Sequence, residues 1–281
     1  MAKIHMVLQG KGGVGKSVIA ALIAQYKASK GQAPLCLDTD PVNSTFHGYT
    51  SLNVRRLQIM DGDEINSRNF DSLVELIAPS KDDVVIDNGA SSFVPLSHYL
   101  VTNQVPALLH EMGHELVVHT VITGGQALVD TLSGFAQLAS QFPAEARFVV
   151  WLNPYWGPIE HEGKTFEQLK AYTANKARVA AIIQIPDLKK ETYGQDLSDM
   201  LQDRLTFDDA LALESLTIMT RQRLKSRRHR PCHRGRSLAM NPPRRMPARS
   251  PAGLCIQGTT RTVRWWWSTP TAALPSTTEP T

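Results

Sequence analysis

Two kinds of apolar pattern alternate along the first 220 residues. Short runs that are apolar nearly throughout read as strands covered on both faces: KIHMVLQ, APLCLD, DDVVID, ELVVHTVI, ARFVVWLN and ARVAAIIQI. Between them lie segments with apolar residues three and four apart: SVIAALIAQYKASKG, NFDSLVELIAP, PALLHEMG, ALVDTLSGFAQLASQF and TFEQLKAYTANK. This spacing predicts helices, and Gly31, Pro79 and Gly113 stand where three of them should stop. Further helices are expected at DLSDMLQDRL and around DDALALESLTIMTRQRL. Six strands mostly separated by helices predict an α/β fold: a doubly wound, mostly parallel sheet with helices on both faces.

The pattern ends near Leu224. The chain is therefore divided into a folded domain, 1–225, and an Arg/Pro-rich tail, 226–281, expected to be disordered. Charge changes the picture at the same place. Residues 1–220 hold 17 Lys and Arg against 25 Asp and Glu, whereas residues 221–281 hold 13 against one, Glu279. The basic character of the chain thus resides in its end, and the acidic body does not read as a general nucleic-acid binder. Arginine without lysine, eight of the 17 prolines and three consecutive tryptophans are what out-of-frame translation of GC-rich DNA gives. The other reading is an arginine-rich arm that binds DNA or acidic lipid.

No run of eighteen apolar residues predicts a membrane span, and the N-terminus reads as a strand rather than a signal peptide. Three scattered cysteines (Cys36, Cys232, Cys255) do not form a disulfide framework, so a reducing cytoplasm is expected.

Gly10-Lys11-Gly12-Gly13-Val14-Gly15-Lys16-Ser17 matches G-x-x-x-x-G-K-[ST], with a strand before it and a helix starting at Ser17 and Val18. The glycines let backbone N–H groups converge on phosphates, and the helix N-terminus adds partial positive charge. Lys16 is expected to bridge β- and γ-phosphates and Ser17 to complete a Mg²⁺ shell. A plain glycine-rich turn explains far less of this pattern. Lys11 is the surplus cation: it is poorly placed for its own nucleotide but able to reach one held by a facing second subunit. The bland alternative is a solvated surface lysine.

Asp38, Asp40 and Asp87 leave strand ends on the edge where open α/β sheets bind ligands. Alternation turns Asp38 and Asp40 to opposite sides if the strand continues, one toward a metal and one toward a water. Asp40 before Pro41 also suits an Asx turn, whereas Asp87 at the end of an apolar strand needs a partner or a metal.

KGGVGKS resembles the deviant phosphate loop of the MinD/ParA ATPases. The resemblance implies ATP and Mg²⁺ as cofactors and an ATP-dependent homodimer in which Lys11 acts across the interface. Leu37-Asp38-Thr39-Asp40-Pro41 resembles switch I, which implies Asp38 near the Mg²⁺ shell and Asp40 orienting the attacking water. Val84-Val85-Ile86-Asp87 resembles the Walker B strand, with Asp87 holding Mg²⁺ through water, and Asn88-Gly89-Ala90 falls at switch II. Asn153 resembles the adenine-reading asparagine, and Ile185-Pro186 the segment that closes over the base. MAKIHMVLQGKGGVGKS, DTDPVN, DEINSRNFD, VVIDNGASSFVPLSHYL and WLNPYWGPIEHEGK resemble more closely the conjugal transfer members of the family from broad-host-range plasmids. The function implied is a Mg²⁺-dependent ATPase acting as a dimerisation switch in plasmid conjugation, with conjugative transfer proteins as partners. The alternative is a ParA-like partition or positioning factor that binds DNA or a partner protein.

Three rival signals weigh less. His110-Glu111-Met112-Gly113-His114 spells the zinc-hydrolase motif, but Gly113 should end the helix before His114 and destroy the shared face. An iron–sulfur dimer needs cysteines in the body, and only Cys36 is there, inside an apolar strand. SLTIMTRQRLK is too short and lacks the bulky face of a membrane-targeting helix. Tyr155, Trp156 and His161 form a polar-aromatic loop suited to a partner or to simple packing.

Overall fold

Each apolar run becomes a strand of one parallel sheet in the computed structural model, which describes residues 1–188, 190–228 and 261–263. The strands are β1 (Lys3–Val7), β2 (Leu35–Asp38), β3 (Arg55–Arg56), β4 (Val84–Asp87), β5 (Glu115–Thr123), β6 (Arg147–Asn153), β7 (Val179–Gln184) and β8 (Arg261–Val263). Their order across the sheet is β8-β7-β6-β5-β1-β4-β2-β3, and every pairing is parallel. Chain order reverses beside β1, so the loop after β1 opens at the topological switch point where such sheets bind ligands.

The helices are α1 (Lys16–Ser29), α2 (Asn69–Ile77), α3 (Phe93–Thr102), α4 (Val105–Glu111), α5 (Leu128–Gln141), α6 (Lys170–Asn175), α7 (Gln195–Gln202), α8 (Phe207–Ala212) and α9 (Ile218–Arg228). Alternate residues of each strand feed two cores. Ile4, Met6, Ile86, Val118 and Phe148 pack with helices α2 to α6 on one face. Val7, Val85, Val121 and Trp151 pack under Ile19, Ala20, Ile23 and Ala24 of α1 on the other. A small third cluster around Met200, Ala210 and Leu224 joins α7, α8 and α9.

Three elements depart from the pattern reading. Helix α3 was not visible in FVPLSHYLVT because Pro95 reads as a breaker; it sits in the first turn, where its missing N–H is harmless. TFEQLKAYTANK is not one helix. A capping box between Thr165 and Gln168 starts a 3₁₀ turn, extended Leu169 breaks it, and α6 begins only at Lys170. The segment around DDALALESLTIMTRQRL is likewise split into α8 and α9. The tail expected from 226 lies outside the described residues, apart from the end of α9 and edge strand β8. No helix among the described residues is long and apolar enough to cross a membrane.

Candidate nucleotide site

The loop between β1 and α1 is shaped by backbone that other residues resist. Gly13 and Gly15 have φ of 72° and 98°, in the left-handed region. Gly15 is the N-cap of α1 and supplies no side-chain bond, so the first-turn N–H groups stay open to an anion. Gly12 and Gly13 are exposed at the mouth, while Val14 turns into the core under α1.

The two lysines are held differently. Lys16 is 8% exposed, and its Nζ donates to the Lys11 carbonyl at 3.1 Å. Burial lowers its pKa, and the nearby carboxylates of Asp87 and Asp40 oppose that shift. Lys11 stands at the surface, its Nζ 2.8 Å from Oδ2 of Asp130 in the first turn of α5. Both partners of this pair are about half exposed.

The acids divide the labour. Asp87 ends β4, fully buried, and beyond the adjacent Ser17 hydroxyl its carboxylate oxygens have no hydrogen-bond partner. Burial pushes its pKa up to about 7; the Ser17 hydroxyl beside it and Lys16 pull the other way, and Asp38 and Asp40 add to the rise. A buried carboxylate partnered only by a hydroxyl, next to an open phosphate loop, fits a divalent cation. No three His, Cys, Asp or Glu side chains converge into a protein-only metal cage among the described residues.

Asp38 has another task. Its Oδ1 accepts the Asp40 N–H at 2.9 Å and its Oδ2 the His47 N–H at 2.8 Å, so the acid expected near the Mg²⁺ shell also pins the 39–47 loop. Burial raises its pKa, with those two N–H bonds opposing. The strand does not continue as alternation requires: it ends at Asp38, the chain turns at Asp40, and its Oδ1 accepts the N–H groups of Val42 and Asn43 at 2.9 and 3.1 Å around Pro41. This is the Asx geometry that Asp-Pro favours. The carboxylate rests on Gly89, where a Cβ would stand 2.6 Å from its Oδ1.

Asn153, at the end of β6, donates from Nδ2 to the Val14 carbonyl at 3.0 Å and accepts the Tyr155 N–H. The residue expected to read adenine therefore also braces the phosphate loop. Ile185 and Pro186 follow β7 directly beside it, the Ile185 N–H bonding the Leu152 carbonyl at 2.9 Å.

Two residues brace the loop in ways the sequence does not announce: Gln9, which the motif passes over, and Trp156 of the polar-aromatic loop. Gln9 is buried; its Nε2 donates to the carbonyls of Val121 and Thr131, and its Oε1 accepts the Gly10 N–H at 2.9 Å. Gly134 leaves room for it, since a Cβ there would lie 2.3 Å from that oxygen. The Trp156 indole donates to the Gly13 carbonyl at 3.4 Å while staying 59% exposed in edge-to-face contact with Tyr155. A glutamine directly before the loop and a tryptophan after a strand-end asparagine were the available signals.

The histidine pair does not share a helix face. Helix α4 ends at Glu111, and His114 lies beyond it, buried, with one ring nitrogen facing the Ala2 N–H and the other the Ala78 carbonyl. Cys36 is buried in β2, and burial pushes its thiol up to about 12.

The family model for the CobQ/CobB/MinD/ParA nucleotide-binding domain matches residues 5–225. Two curated Escherichia coli proteins called TraL are 85% and 82% identical over 225 residues, 80% of this chain and 93% of each relative. Among solved structures, MinD of Aquifex aeolicus is 15% identical, with a TM-score of 0.45 over 80% of this chain and 96% of that one. A plasmid partition protein of Borrelia burgdorferi is 17% identical, with a TM-score of 0.43 over 72% and 96%. The chain belongs to the CobQ/CobB/MinD/ParA nucleotide-binding family.

Proposed function

We propose that this member of the MinD/ParA family is a Mg²⁺-dependent ATPase whose ATP-bound form dimerises, resets on hydrolysis, and serves plasmid conjugal transfer. The observation that carries the reading is the contrast between its two loop lysines. Lys16 is folded into the loop, whereas Lys11 is held at the surface by a single exposed carboxylate. Exposed apolar side chains adjoin residues of the site along the chain: Val42 beyond Asp40, Val94 beyond Phe93, which lies against Gly10, Val129 before Asp130, and Tyr155 and Trp156 beyond Asn153. Such side chains beside a charged opening suit a second copy of the chain.

In this reading the N–H groups of residues 12 to 17 and Lys16 bind the triphosphate. Ser17 and Asp87 would hold Mg²⁺, which would supply neutralising charge to the phosphates. Asp40 positions the water by orientation rather than by strong basicity. Lys11 leaves Asp130 and places positive charge on the partner's nucleotide, where negative charge builds in the transition state. Asn153 and Pro186 border the base.

Sedimentation of the full chain with ADP and with a non-hydrolysable ATP analogue tests the reading. A dimer with the analogue only, abolished in Lys11→Ala while nucleotide binding persists, is expected. A monomer under both conditions refutes the switch. DNA binding that depends on ATP occupancy and ignores hydrolysis points instead to the partition or positioning factor.

A further inference from the structure

We propose that Thr39, Asn88 and Ser92 form a buried polar couple that makes the Asp40 segment and the Asp87 segment move as one body. Thr39 and Asn88 are positioning residues in this proposal, and its kinetic arm rests on the function proposed above.

Strands β2 and β4 run parallel with Asp38 opposite Asp87. Pairing continues one residue further, the Thr39 N–H bonding the Asp87 carbonyl at 3.0 Å. There the two chains part, one into the Pro41 turn and the other through Gly89 into α3. A side-chain network bridges the fork. The Thr39 hydroxyl lies 2.9 Å from the Asp87 carbonyl and 3.1 Å from Oδ1 of Asn88. The Ser92 hydroxyl donates to the same Oδ1 at 2.8 Å, with the Gly89 carbonyl at 3.3 Å as its second acceptor. Asn88 closes the set by donating to the Gly89 carbonyl at 3.0 Å. Thr39, Asn88 and Ser92 are all 0% exposed.

Two features separate this network from ordinary packing. Ser92 stands at the N-cap of α3 but makes no capping bond; its hydroxyl is turned to Asn88 instead. The helix forgoes a favourable cap in order to complete the network. The network also lies between the acids assigned to water and metal, and Asp40 touches the other segment a second time at Gly89. A satisfied polar cluster in a low-dielectric interior is rigid, so displacement of either segment is passed to the other.

Both acceptors of the Thr39 hydroxyl keep another donor, the Asp87 carbonyl the Thr39 N–H and Oδ1 of Asn88 the Ser92 hydroxyl, so deleting the Thr39 hydroxyl should spare the fold. Thr39→Val keeps the shape and deletes the hydroxyl; Thr39→Ser keeps the hydroxyl. Without nucleotide, hydrogen exchange at the amides of Asp40, Val42, Asn43 and His47 should quicken about tenfold in Thr39→Val and return toward wild type in Thr39→Ser, while α1 stays unchanged. With ATP, Thr39→Val should lower kcat roughly tenfold at nearly unchanged KM, and Thr39→Ser should restore it. Wild-type exchange in Thr39→Val, or a loss of nucleotide binding in step with turnover, overturns the proposal. Absence of turnover in the wild type refutes the ATPase reading and leaves the exchange result decisive for the couple. If Thr39→Val does not fold, Asn88→Ala carries the same readouts.

Discussion

Asp130→Asn removes the carboxylate that holds Lys11 on its own protomer. The proposed dimer requires each Lys11 to leave its Asp130, so the pair opposes association twice per dimer. The ammonium and carboxylate are 2.8 Å apart, but both are about half exposed. Water screens such pairs, and their net worth is about 0.2–1 kcal/mol each. Two of them should hold back association by roughly 0.4–2 kcal/mol, which is about 2- to 30-fold in the dimer dissociation constant. Asp130→Asn should tighten the ATP-analogue dimer by that factor at low ionic strength, and by less as salt screens the wild-type pair. Sedimentation velocity over a protein dilution series at two salt concentrations measures it. The double variant with Lys11→Ala should stay monomeric, because freeing the lysine gains nothing once the lysine is gone. A weaker Asp130→Asn dimer means that the carboxylate works across the interface instead, and an unchanged one means that Lys11 is not held in any energetic sense. Either result refutes the reasoning.

Other substitutions probe the remaining parts. Gly89→Ala places a methyl group 2.6 Å from Oδ1 of Asp40 and 3.1 Å from Cδ of Pro41, an overpacking that should cost about 1–3 kcal/mol in thermal unfolding. Turnover should fall at least tenfold as Asp40 shifts, with nucleotide still bound; full turnover would disprove a role for that contact. Arg178 donates to the carbonyls of Ala139, Phe142, Pro143 and Ala146 and lies over Phe148, so Arg178→Ala should lose about 2–4 kcal/mol of stability by urea titration and leave nucleotide affinity alone. A loss below about 0.5 kcal/mol would show the fan of bonds to be incidental. The buried histidines should cost stability in mild acid. His5 and His119 are buried and linked at 2.9 Å; burial, with the Lys27 and Lys3 charges, lowers His5 to about 3, and burial and His5 hold His119 well below its ordinary value. Neutral imidazoles are favoured in the fold, so their stabilisation is complete above the unfolded pKa near 6.5 and is lost as pH falls below it. From pH 7.5 to 5.5 the pair should account for about 2–3 kcal/mol; Asp87, raised to about 7, takes up a proton in the fold over the same range and opposes the loss, so the test is made in Asp87→Asn, where equal urea midpoints at the two pH values would contradict this.

What could be read from the sequence follows from how locally each feature is encoded. Fully apolar runs such as VVID and FVVWL announce doubly covered strands because nothing but a sheet interior accepts them. The phosphate loop is legible because eight adjacent residues carry both the glycines and the cation. Asp38 was harder. Its sequence neighbourhood suits a metal ligand, and only the fold reveals that the N–H groups of Asp40 and His47 take both its oxygens. Gln9 was illegible for the same reason, since its partners Val121 and Thr131 lie more than a hundred residues away. The Lys11–Asp130 pair is of this long-range kind too: the loop alone marks Lys11 as surplus but cannot name its partner.

That separation of the lysines by partner gives the site two independent controls. Lys16 sits in a field set by Asp87 and Asp40 within its own protomer, so its work is tied to what those acids bind. Lys11 answers to Asp130 on α5 and to whatever approaches the mouth. The loop between them is braced by residues from other strands, Gln9 toward β5 and Asn153 and Trp156 from the end of β6. A change that loosens the braces should therefore disturb nucleotide binding and Lys11 together. A change at Asp130 should alter only the association step, because it leaves the contacts among Lys16, Ser17 and Asp87 in place. If Asp130→Asn changed nucleotide affinity in the monomer as much as it changed dimerisation, the two lysines would be parts of one device, and the division of labour drawn from their separate partners would fail.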